Sequence, residues 1–271
     1  MAVSARRCGD LLSLLRDKRP LVHNITNAVA MDISANVLLA LGASPAMIMA
    51  PEEVEDFAAV ADGLVANIGT LSVESVKAMR LAAAKMNALG KPWVLDPVGC
   101  GATPFRLAAA RGLVDLKPTI IRGNPGEIAA LGGALGGSRG VDTVMTAKAA
   151  TKDAASLARL SGSVVAMTGE TDYVAAGATM LTVAGGAAVM PYVTALGCSL
   201  SASVAAFAAV ADSPLEAAVA ALAMFGVVGA HAARQSDAPA SFRTAFIDGL
   251  YRLEPDALAA EVEIGEVTGL A

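Results

Sequence analysis

The chain has 271 residues, of which 55% are hydrophobic and only 4% aromatic, and its formal net charge is −5. This length suits one large α/β unit, and we predict a single domain over residues 1–271. The acidic balance and the lack of long basic runs argue against a nucleic-acid-binding protein. Three cysteines without a CxxC pair favour a reduced, cytoplasmic protein over a disulfide-bonded or zinc-binding one.

Short apolar runs alternate with longer helical patterns along most of the chain. We predict strands at 21–23, 46–49, 64–67, 93–96, 120–123 and 164–168. We predict helices at 27–41, 51–61, 73–89, 104–114, 126–131 and 151–160. Residues 173–189 favour short antiparallel strands at the sheet edge, and the chain after Gly197 favours helices. The alternation predicts an α/β fold with a mainly parallel central sheet and helices on both faces.

The segment 215–233 is almost entirely apolar and approaches the length that spans a membrane. It contains Glu216 and His231, however, and its commonest residue is alanine, which inserts weakly into lipid. We therefore predict a buried, alanine-rich helix and no membrane association.

Two carboxylates follow predicted strands. Asp96 ends one strand and precedes a glycine-containing loop, and Glu127 lies four residues after the next strand. Hard cations such as Mg²⁺ bind one or two carboxylates and keep several water ligands, so the pair suggests a metal site. The alternative for Glu127 is an interaction with a helix N-terminus, and for Asp96 a turn before Pro97.

A cation and a turn suggest an anion site beside these carboxylates. Arg122 suits phosphate recognition, and Thr168 also follows an apolar strand. The stretch from Thr194 to Cys198 leads into a small-residue helix, whose N-terminus would attract an anion and lower the pKa of a thiol. The alternatives are a surface ion pair for Arg122, a turn former at Thr168 and a buried apolar role for Cys198.

Another junction of strand and helix carries Asn27, and Met47 follows nearby. The pattern by itself favours an N-cap for Asn27 and a core position for Met47.

Several ordered segments together resemble a known family. They are the amides at 24–27, GASPAM at 42–47, NIGTL at 67–71, DPVGCGATPFR at 96–106, IRGNPGEI at 121–128 with its arginine at 122, MTGE at 167–170 and the Gly197-Cys198 pair. In this order they resemble the hydroxyethylthiazole kinases of thiamine biosynthesis and salvage, members of the ribokinase-like superfamily, over roughly residues 10–250. Any one segment would be weak evidence, but the set is specific.

The resemblance implies a ribokinase-like three-layer α/β/α fold and a phosphotransferase. The implied reaction is ATP- and Mg²⁺-dependent phosphorylation of the hydroxyl of 4-methyl-5-(2-hydroxyethyl)thiazole. It also implies a homotrimer with active sites at subunit interfaces. The implied roles are ATP contacts for Arg122 and Thr168, Mg²⁺ ligands for Asp96 and Glu127, thiazole contacts for Asn27, Met47 and Ala195, and a catalytic role for Cys198, with Gly197 in the anion hole.

One departure from the family pattern lies in that anion hole. The family usually reads Thr-Gly-x-Gly-Cys, whereas this chain has Ala195 and Leu196 before Gly197. An alanine that must adopt a positive φ costs on the order of 1 kcal/mol relative to glycine.

Alternatives to the thiazole kinase are a kinase of the hydroxymethylpyrimidine alcohol, a nicotinamide-nucleotide-hydrate dehydratase and a non-catalytic thiazole or nucleotide binder.

Overall fold

One continuous sheet of nine strands runs through the residues that the computed structural model describes, 3–136 and 146–267. The strands are β1 Leu21–Ile25, β2 Ser44–Ala46, β3 Gly63–Asn67, β4 Trp93–Asp96, β5 Ile120–Gly123, β6 Val164–Met167, β7 Asp172–Ala176, β8 Thr179–Val183 and β9 Ile264–Glu266. Their order in space is β2-β1-β3-β4-β5-β6-β7-β8-β9. The pairings are parallel from β2 to β6 and antiparallel from β6 to β9.

Helices cover both faces of this sheet. Within the same residues they are α1 Ala5–Lys18, α2 Met31–Leu41, α3 Val54–Val60, α4 Val73–Ala88, α5 Pro104–Val114, α6 Pro125–Gly136, α7 Thr151–Ser161, α8 Leu196–Ala208, α9 Pro214–Arg234, α10 Pro239–Arg252 and α11 Pro255–Glu261. Helices α1, α2 and α8 to α11 lie on one side, and α3 to α7 on the other. The predicted three-layer α/β/α fold with a mainly parallel sheet is confirmed.

The central strands are buried on both faces, which explains their nearly continuous apolar sequence. In β3 and β4, Val65 and Val94 face the core under α8, whereas Leu64 and Leu95 face the core under α4. Small residues let α8 lie close to the sheet: an added Cβ at Gly63 would be 2.8 Å from the carbonyl oxygen of Ala205. The core has few aromatic residues to fill it, and the close approach of the α8 backbone to the sheet fills the space instead.

The helix predicted to begin at residue 27 begins at Met31 instead. The side-chain oxygen of Asn27 accepts hydrogen bonds from the backbone N–H groups of Val29 and Ala30, at 3.1 and 3.0 Å. This local turn occupies residues 27–30, so the predicted N-cap role of Asn27 at α2 is wrong; Ala30 is the N-cap residue.

Other element boundaries also differ from the prediction. Strand β2 is Ser44–Ala46 instead of 46–49, because the chain leaves the sheet at Met47 and the Ile48 carbonyl contacts Nε2 of His23 at 2.7 Å. Helix α1 was not predicted; the Ser4 side chain caps it by accepting from the Arg7 N–H. The chain after Gly197 is not wholly helical, because β9 pairs with β8 near the C-terminus.

Helix α9 contains the apolar segment 215–233. Among the described residues it is the one helix long and apolar enough to cross a membrane, and 78% of its most apolar 18-residue window is buried inside the protein. It lies against α8, α10 and the sheet, as a core helix does. The prediction of a buried, alanine-rich helix is confirmed.

Candidate active site

The carboxyl ends of β1, β3, β4, β5 and β6 meet at one edge of the sheet, next to the N-terminus of α8. Open α/β sheets bind their ligands at this edge. The predicted site residues all lie at these strand ends, in the loops that follow them or β2, or in the N-cap and first turn of α8.

Asp96 is the most deeply buried carboxylate of this edge, with no exposed surface. Its Oδ2 accepts hydrogen bonds from Nδ2 of Asn67 at 2.7 Å and from the Ser201 hydroxyl at 2.8 Å. Its Oδ1 is buried and has no partner among the described residues. Burial raises the pKa of Asp96 to about 7, although Arg122 opposes the shift. An unpartnered carboxylate oxygen of this kind fits a cation ligand.

Glu127 joins two backbone segments at the start of α6. Its Oε1 accepts from the Gly99 N–H at 2.9 Å, and its Oε2 accepts from the Asn124 N–H at 2.8 Å. The Asn124 side chain accepts in return from the Glu127 N–H at 2.9 Å, which completes a capping box. The helix-start interpretation of Glu127 is therefore confirmed. Each carboxylate oxygen keeps further lone pairs, so a metal role remains chemically open to it.

Arg122 lies against the first turn of α8. Its Nη2 donates to the Thr168 hydroxyl at 2.6 Å, and an added Cβ at Gly197 would lie 2.8 Å from its Nη1. Its Nε is buried without a partner in the described residues. Among the described residues, no carboxylate forms an ion pair with Arg122, so the surface ion-pair alternative is wrong. The site presents an arginine, a hydroxyl and a helix N-terminus together, which suits a phosphate.

Ala195 is the N-cap residue of α8 and has the left-handed backbone conformation, with φ 59° and ψ 12°. Leu196, Gly197 and Cys198 form the first helical turn, where the backbone N–H groups have no earlier helical carbonyl to bind. The positive φ considered from the sequence is therefore present at an alanine.

Cys198 is part-buried, and Nδ2 of Asn27 donates to its Sγ at 3.3 Å. Burial raises the pKa of the Cys198 thiol, and the nearby Asp96 charge raises it further. The hydrogen bond from Asn27, the nearby Asn67 amide and the charge of Arg122 only partly oppose this pKa shift. The prediction of a lowered thiol pKa at Cys198 is wrong, because burial raises this pKa. At rest the residue is a neutral thiol.

A cavity of about 750 Å³ opens beside the anion-binding turn. Arg122, Thr168 and Gly197 line one end of it. Most of the remaining lining is apolar or glycine and comes from the loop after β8 and from α8 and α9, including Gly186, Ala187, Met190, Leu200 and Phe225. Asn124 after β5, and Glu170 and Asp172 after β6, add polar and acidic groups. An elongated ligand with a charged end and an apolar body suits this cavity.

The remaining predicted residues do not line the cavity. Asn27 and Cys198 are in contact with each other at the carboxyl end of β1, Met47 follows β2 at the same edge, and Ala195 precedes the first turn of α8. The site therefore has a phosphate region at Arg122 and an adjoining region at Cys198.

Three residues of this edge were not predicted from the sequence. Asn67 and Ser201 bind Asp96, and Asp172 lines the cavity, where burial raises its pKa to about 6. A signal existed for Asn67, which ends a predicted strand next to the one that ends at Asp96. Ser201 lies within an apolar helix, and no local pattern distinguishes it from its neighbours.

Comparison with known proteins decides the family. The model of the hydroxyethylthiazole kinase family matches residues 12–256. The chain belongs to the hydroxyethylthiazole kinase family. A hydroxyethylthiazole kinase from Granulibacter bethesdensis is 52% identical over 244 residues, which are 90% of this chain and 89% of that protein. Another from Cereibacter sphaeroides strain KD131 is 50% identical over 251 residues, covering 93% and 95% of the two chains.

Solved structures agree with this family membership. The hydroxyethylthiazole kinase protein from Pyrococcus horikoshii OT3 superposes with a TM-score of 0.90 at 40% identity, over 96% of this chain and 98% of that one. The pyridoxal kinase from Staphylococcus aureus in complex with ADP has a TM-score of 0.64 at 17% identity, over 92% and 99% of the chains, and shows the shared fold. The predicted resemblance, the ribokinase-like fold and the kinase class of enzyme are confirmed.

Proposed function

We propose that this kinase transfers the γ-phosphoryl group of ATP to the hydroxyl of 4-methyl-5-(2-hydroxyethyl)thiazole, with Mg²⁺ as the metal. The observation that carries the proposal is the position of Arg122, which lies against the N-terminal turn of α8 at the charged end of a 750 Å³ cavity. The reaction forms a bond between the alcohol oxygen and the γ-phosphorus and breaks the bond to the β–γ bridging oxygen. ADP leaves with that electron pair, and the alcohol proton is released.

Asp96 and Glu127 would hold Mg²⁺ in this proposal. The free Oδ1 of Asp96 supports the assignment, and few protein ligands are needed because Mg²⁺ keeps waters and binds phosphate oxygens. When bound, the ion draws negative charge from the phosphates. Glu127 also holds the Gly99 loop against α6, so its carboxylate would serve the site through position as well as charge.

Arg122, Thr168 and the first turn of α8 would bind the transferred phosphoryl group and its neighbours. Arg122 and the Thr168 hydroxyl already share a hydrogen bond, so each is oriented before the nucleotide arrives. The N–H groups of Gly197 and Cys198 add donors with the positive end of the helix dipole. Preorganised donors of this kind stabilise the charge that spreads over the phosphoryl oxygens in the transition state.

Cys198 would act on the alcohol in the region next to the phosphate site. Its neutral thiol can hydrogen-bond the hydroxyl and orient it, and its raised pKa makes it a poor base in the resting protein. Met47, Asn27 and Ala195 would border the thiazole ring. The Asn27 amide is engaged with protein groups, so its contribution to the ring would be shape. A homotrimer, implied by the family resemblance, and a cytoplasmic location, inferred from the cysteine pattern, stay predictions.

The direct test mixes the purified protein with ATP, Mg²⁺ and hydroxyethylthiazole, and follows ADP and the phosphate ester by mass spectrometry. The hydroxymethylpyrimidine alcohol is assayed in parallel, and the Arg122→Ala variant controls for contaminating kinases. We expect selective formation of the thiazole phosphate by the wild-type protein alone.

Other outcomes of this assay would contradict the proposal. Preferential phosphorylation of the pyrimidine alcohol would change the substrate. ATP binding without phosphorylation of either alcohol would favour a dehydratase or a non-catalytic binder, which thermal shift with each ligand would then distinguish.

A further inference from the structure

A chain of side-chain amides joins the Asp96 carboxylate to the Cys198 thiol. Nδ2 of Asn67 donates to Oδ2 of Asp96 at 2.7 Å, and Oδ1 of Asn67 accepts from Nδ2 of Asn27 at 2.9 Å. The same Nδ2 of Asn27 donates its second hydrogen to Sγ of Cys198 at 3.3 Å. Residues 27, 67, 96 and 198 come from four different parts of the fold, so no single local structure maintains this series of hydrogen bonds.

The donor and the acceptor of each hydrogen bond between Asp96 and Cys198 can be assigned. The Gly69 N–H can only donate, and it donates to Oδ1 of Asn67 at 2.9 Å. This places the NH₂ group of Asn67 toward Asp96, and it leaves Oδ1 as the acceptor for Asn27. The Asn27 oxygen is held by the N–H groups of its own turn, so its NH₂ group must face Asn67 and Cys198.

The side chain of Arg106 holds the loop that follows Asn67 by hydrogen bonds to backbone carbonyl oxygens. Arg106 donates to the carbonyl oxygens of Ile68, Gly69 and Val98, and so ties the loop after β3 to the loop after β4. Gly69 packs directly on Asn27, because an added Cβ at residue 69 would lie 2.6 Å from Nδ2 of Asn27. The loop therefore leaves Asn67 and Asn27 little freedom to rearrange.

We propose that Asn67 is a positioning residue that sets Cys198 and Asp96 relative to each other, so that the alcohol and the phosphoryl group meet in one geometry. The inference rests on the proposed function for its kinetic meaning. Asn67 lies at the end of β3. It acts on Asp96 directly and on Cys198 through Asn27. Small displacements of reacting groups cost large factors in rate, which is why such positioning matters.

Ser201 gives a matched comparison for this role. Its hydroxyl donates to the same Oδ2 of Asp96 at 2.8 Å, but it makes no hydrogen bond to Asn27 or Cys198 in the described residues. Ser201→Ala therefore removes a donor to Asp96 and a 3.5 Å contact with the Gly197 carbonyl oxygen, and leaves the contact between Asn27 and Cys198 in place. Asn67→Leu keeps the branching at Cγ and removes both sides, and Asn67→Ser, too short to span both partners, serves if the leucine variant does not fold.

The first measurement is the rate of alkylation of Cys198 by iodoacetamide in the metal-free, nucleotide-free protein, assigned by peptide mass. Cys8 and Cys100 are buried, and burial raises the pKa of each to about 12, so they react slowly. We expect at least a threefold slower reaction in Asn67→Leu, because the NH₂ group of Asn27 loses the Asn67 acceptor that aligns it on the sulfur. We expect the Ser201→Ala rate to stay within twofold of wild type.

The second measurement is steady-state phosphorylation. We expect kcat of Asn67→Leu to fall at least tenfold while KM for ATP stays within twofold, because Arg122 and Thr168 are untouched. Asn87→Ala is the stability control: it removes hydrogen bonds to Trp93 and Leu116 at the opposite edge of the sheet, and should leave kcat unchanged.

Two results would overturn the inference: an alkylation rate in Asn67→Leu that is unchanged or faster, or a kcat loss no larger than that of Asn87→Ala. Failure of the proposed function is a separate outcome. A wild-type protein that phosphorylates no alcohol would contradict that function, while the alkylation comparison would still report whether Asn67 positions Cys198.

Discussion

An added Cβ atom at Gly197 would lie 2.8 Å from Nη1 and 3.1 Å from Nη2 of Arg122. The guanidinium therefore lies against the first turn of α8 only because residue 197 has no side chain. This contact places the positive charge of Arg122 beside the N-terminal N–H groups of the helix, where both can bind the same anion.

Gly197→Ala should displace Arg122 and weaken nucleotide binding. We expect KM for ATP to rise about tenfold, since a lost charge-assisted hydrogen bond is worth about 1.5–3 kcal/mol. Steady-state kinetics with varied ATP measures the change. Gly126→Ala is the control, because its added Cβ would meet its nearest atom at 3.4 Å, an ordinary contact. Equal KM values in the two variants would show that Arg122 can move without loss.

Ala195→Gly should stabilise the protein and raise its turnover. Ala195 has φ 59°, and an L-residue in this region costs about 1 kcal/mol relative to glycine. Urea denaturation should show a gain of about 1 kcal/mol. The smaller residue also lets an oxygen approach the anion hole, so we expect kcat to increase.

Lys117→Gly controls for the backbone effect alone. Lys117 has φ 57° and precedes β5 at the opposite edge of the sheet. It should give a similar stabilisation with no change in kcat. If kcat of Ala195→Gly is unchanged or lower, the alanine does not obstruct the site.

Cys198→Ala should lower kcat about 100-fold, the scale of a misplaced reacting group, while the affinity for ATP stays the same. Cys198→Asp should retain more activity than the alanine variant if the position accepts the alcohol proton, because a carboxylate is the stronger base at neutral pH. Phosphorylation rates and calorimetric ATP binding measure the two effects. Cys8→Ala, which removes a buried thiol from α1, is the control, and full activity of Cys198→Ala would remove the thiol from the mechanism.

Asp96→Asn should strongly lower activity and stabilise the metal-free protein at alkaline pH. The pKa of Asp96 is raised from 3.8 to about 7 by burial, so the folded protein binds the proton more tightly than the unfolded chain does. Stability from this group is therefore full below about pH 4 and is lost as pH rises through 7. The asparagine variant has no such loss, and it can still accept from Asn67 and Ser201.

Thermal unfolding between pH 5 and pH 8 tests this effect. The Tm of Asp96→Asn should exceed that of wild type at pH 8, and the difference should shrink toward pH 5. Activity should fall on the order of 10³-fold, since a lost metal ligand removes several kcal/mol of charge stabilisation. A variant less stable than wild type at pH 8 would show that the charged Asp96 is well compensated in the metal-free protein.

The parallel half of the sheet was predictable because its strands are short, apolar and buried on both faces. Strands β4 and β5 have the predicted bounds, so Asp96 and Arg122 were correctly expected at neighbouring strand ends. The start of α2 was not predictable from periodicity, because the Asn27 side chain forms a competing turn. Strand β9 was missed because its three residues are a strand only through pairing with β8.

The amino-acid sequence by itself determined the family, the fold class and the strand ends at which chemistry collects, since these follow from motifs and local apolar patterns. Tertiary structure alone decided which side chains touch. Asn67 and Ser201 meet at Asp96 because parallel register and the packing of α8 bring residues distant in sequence together. The pKa of Cys198 is raised for the same reason: desolvation depends on everything packed around the thiol, which no local pattern records.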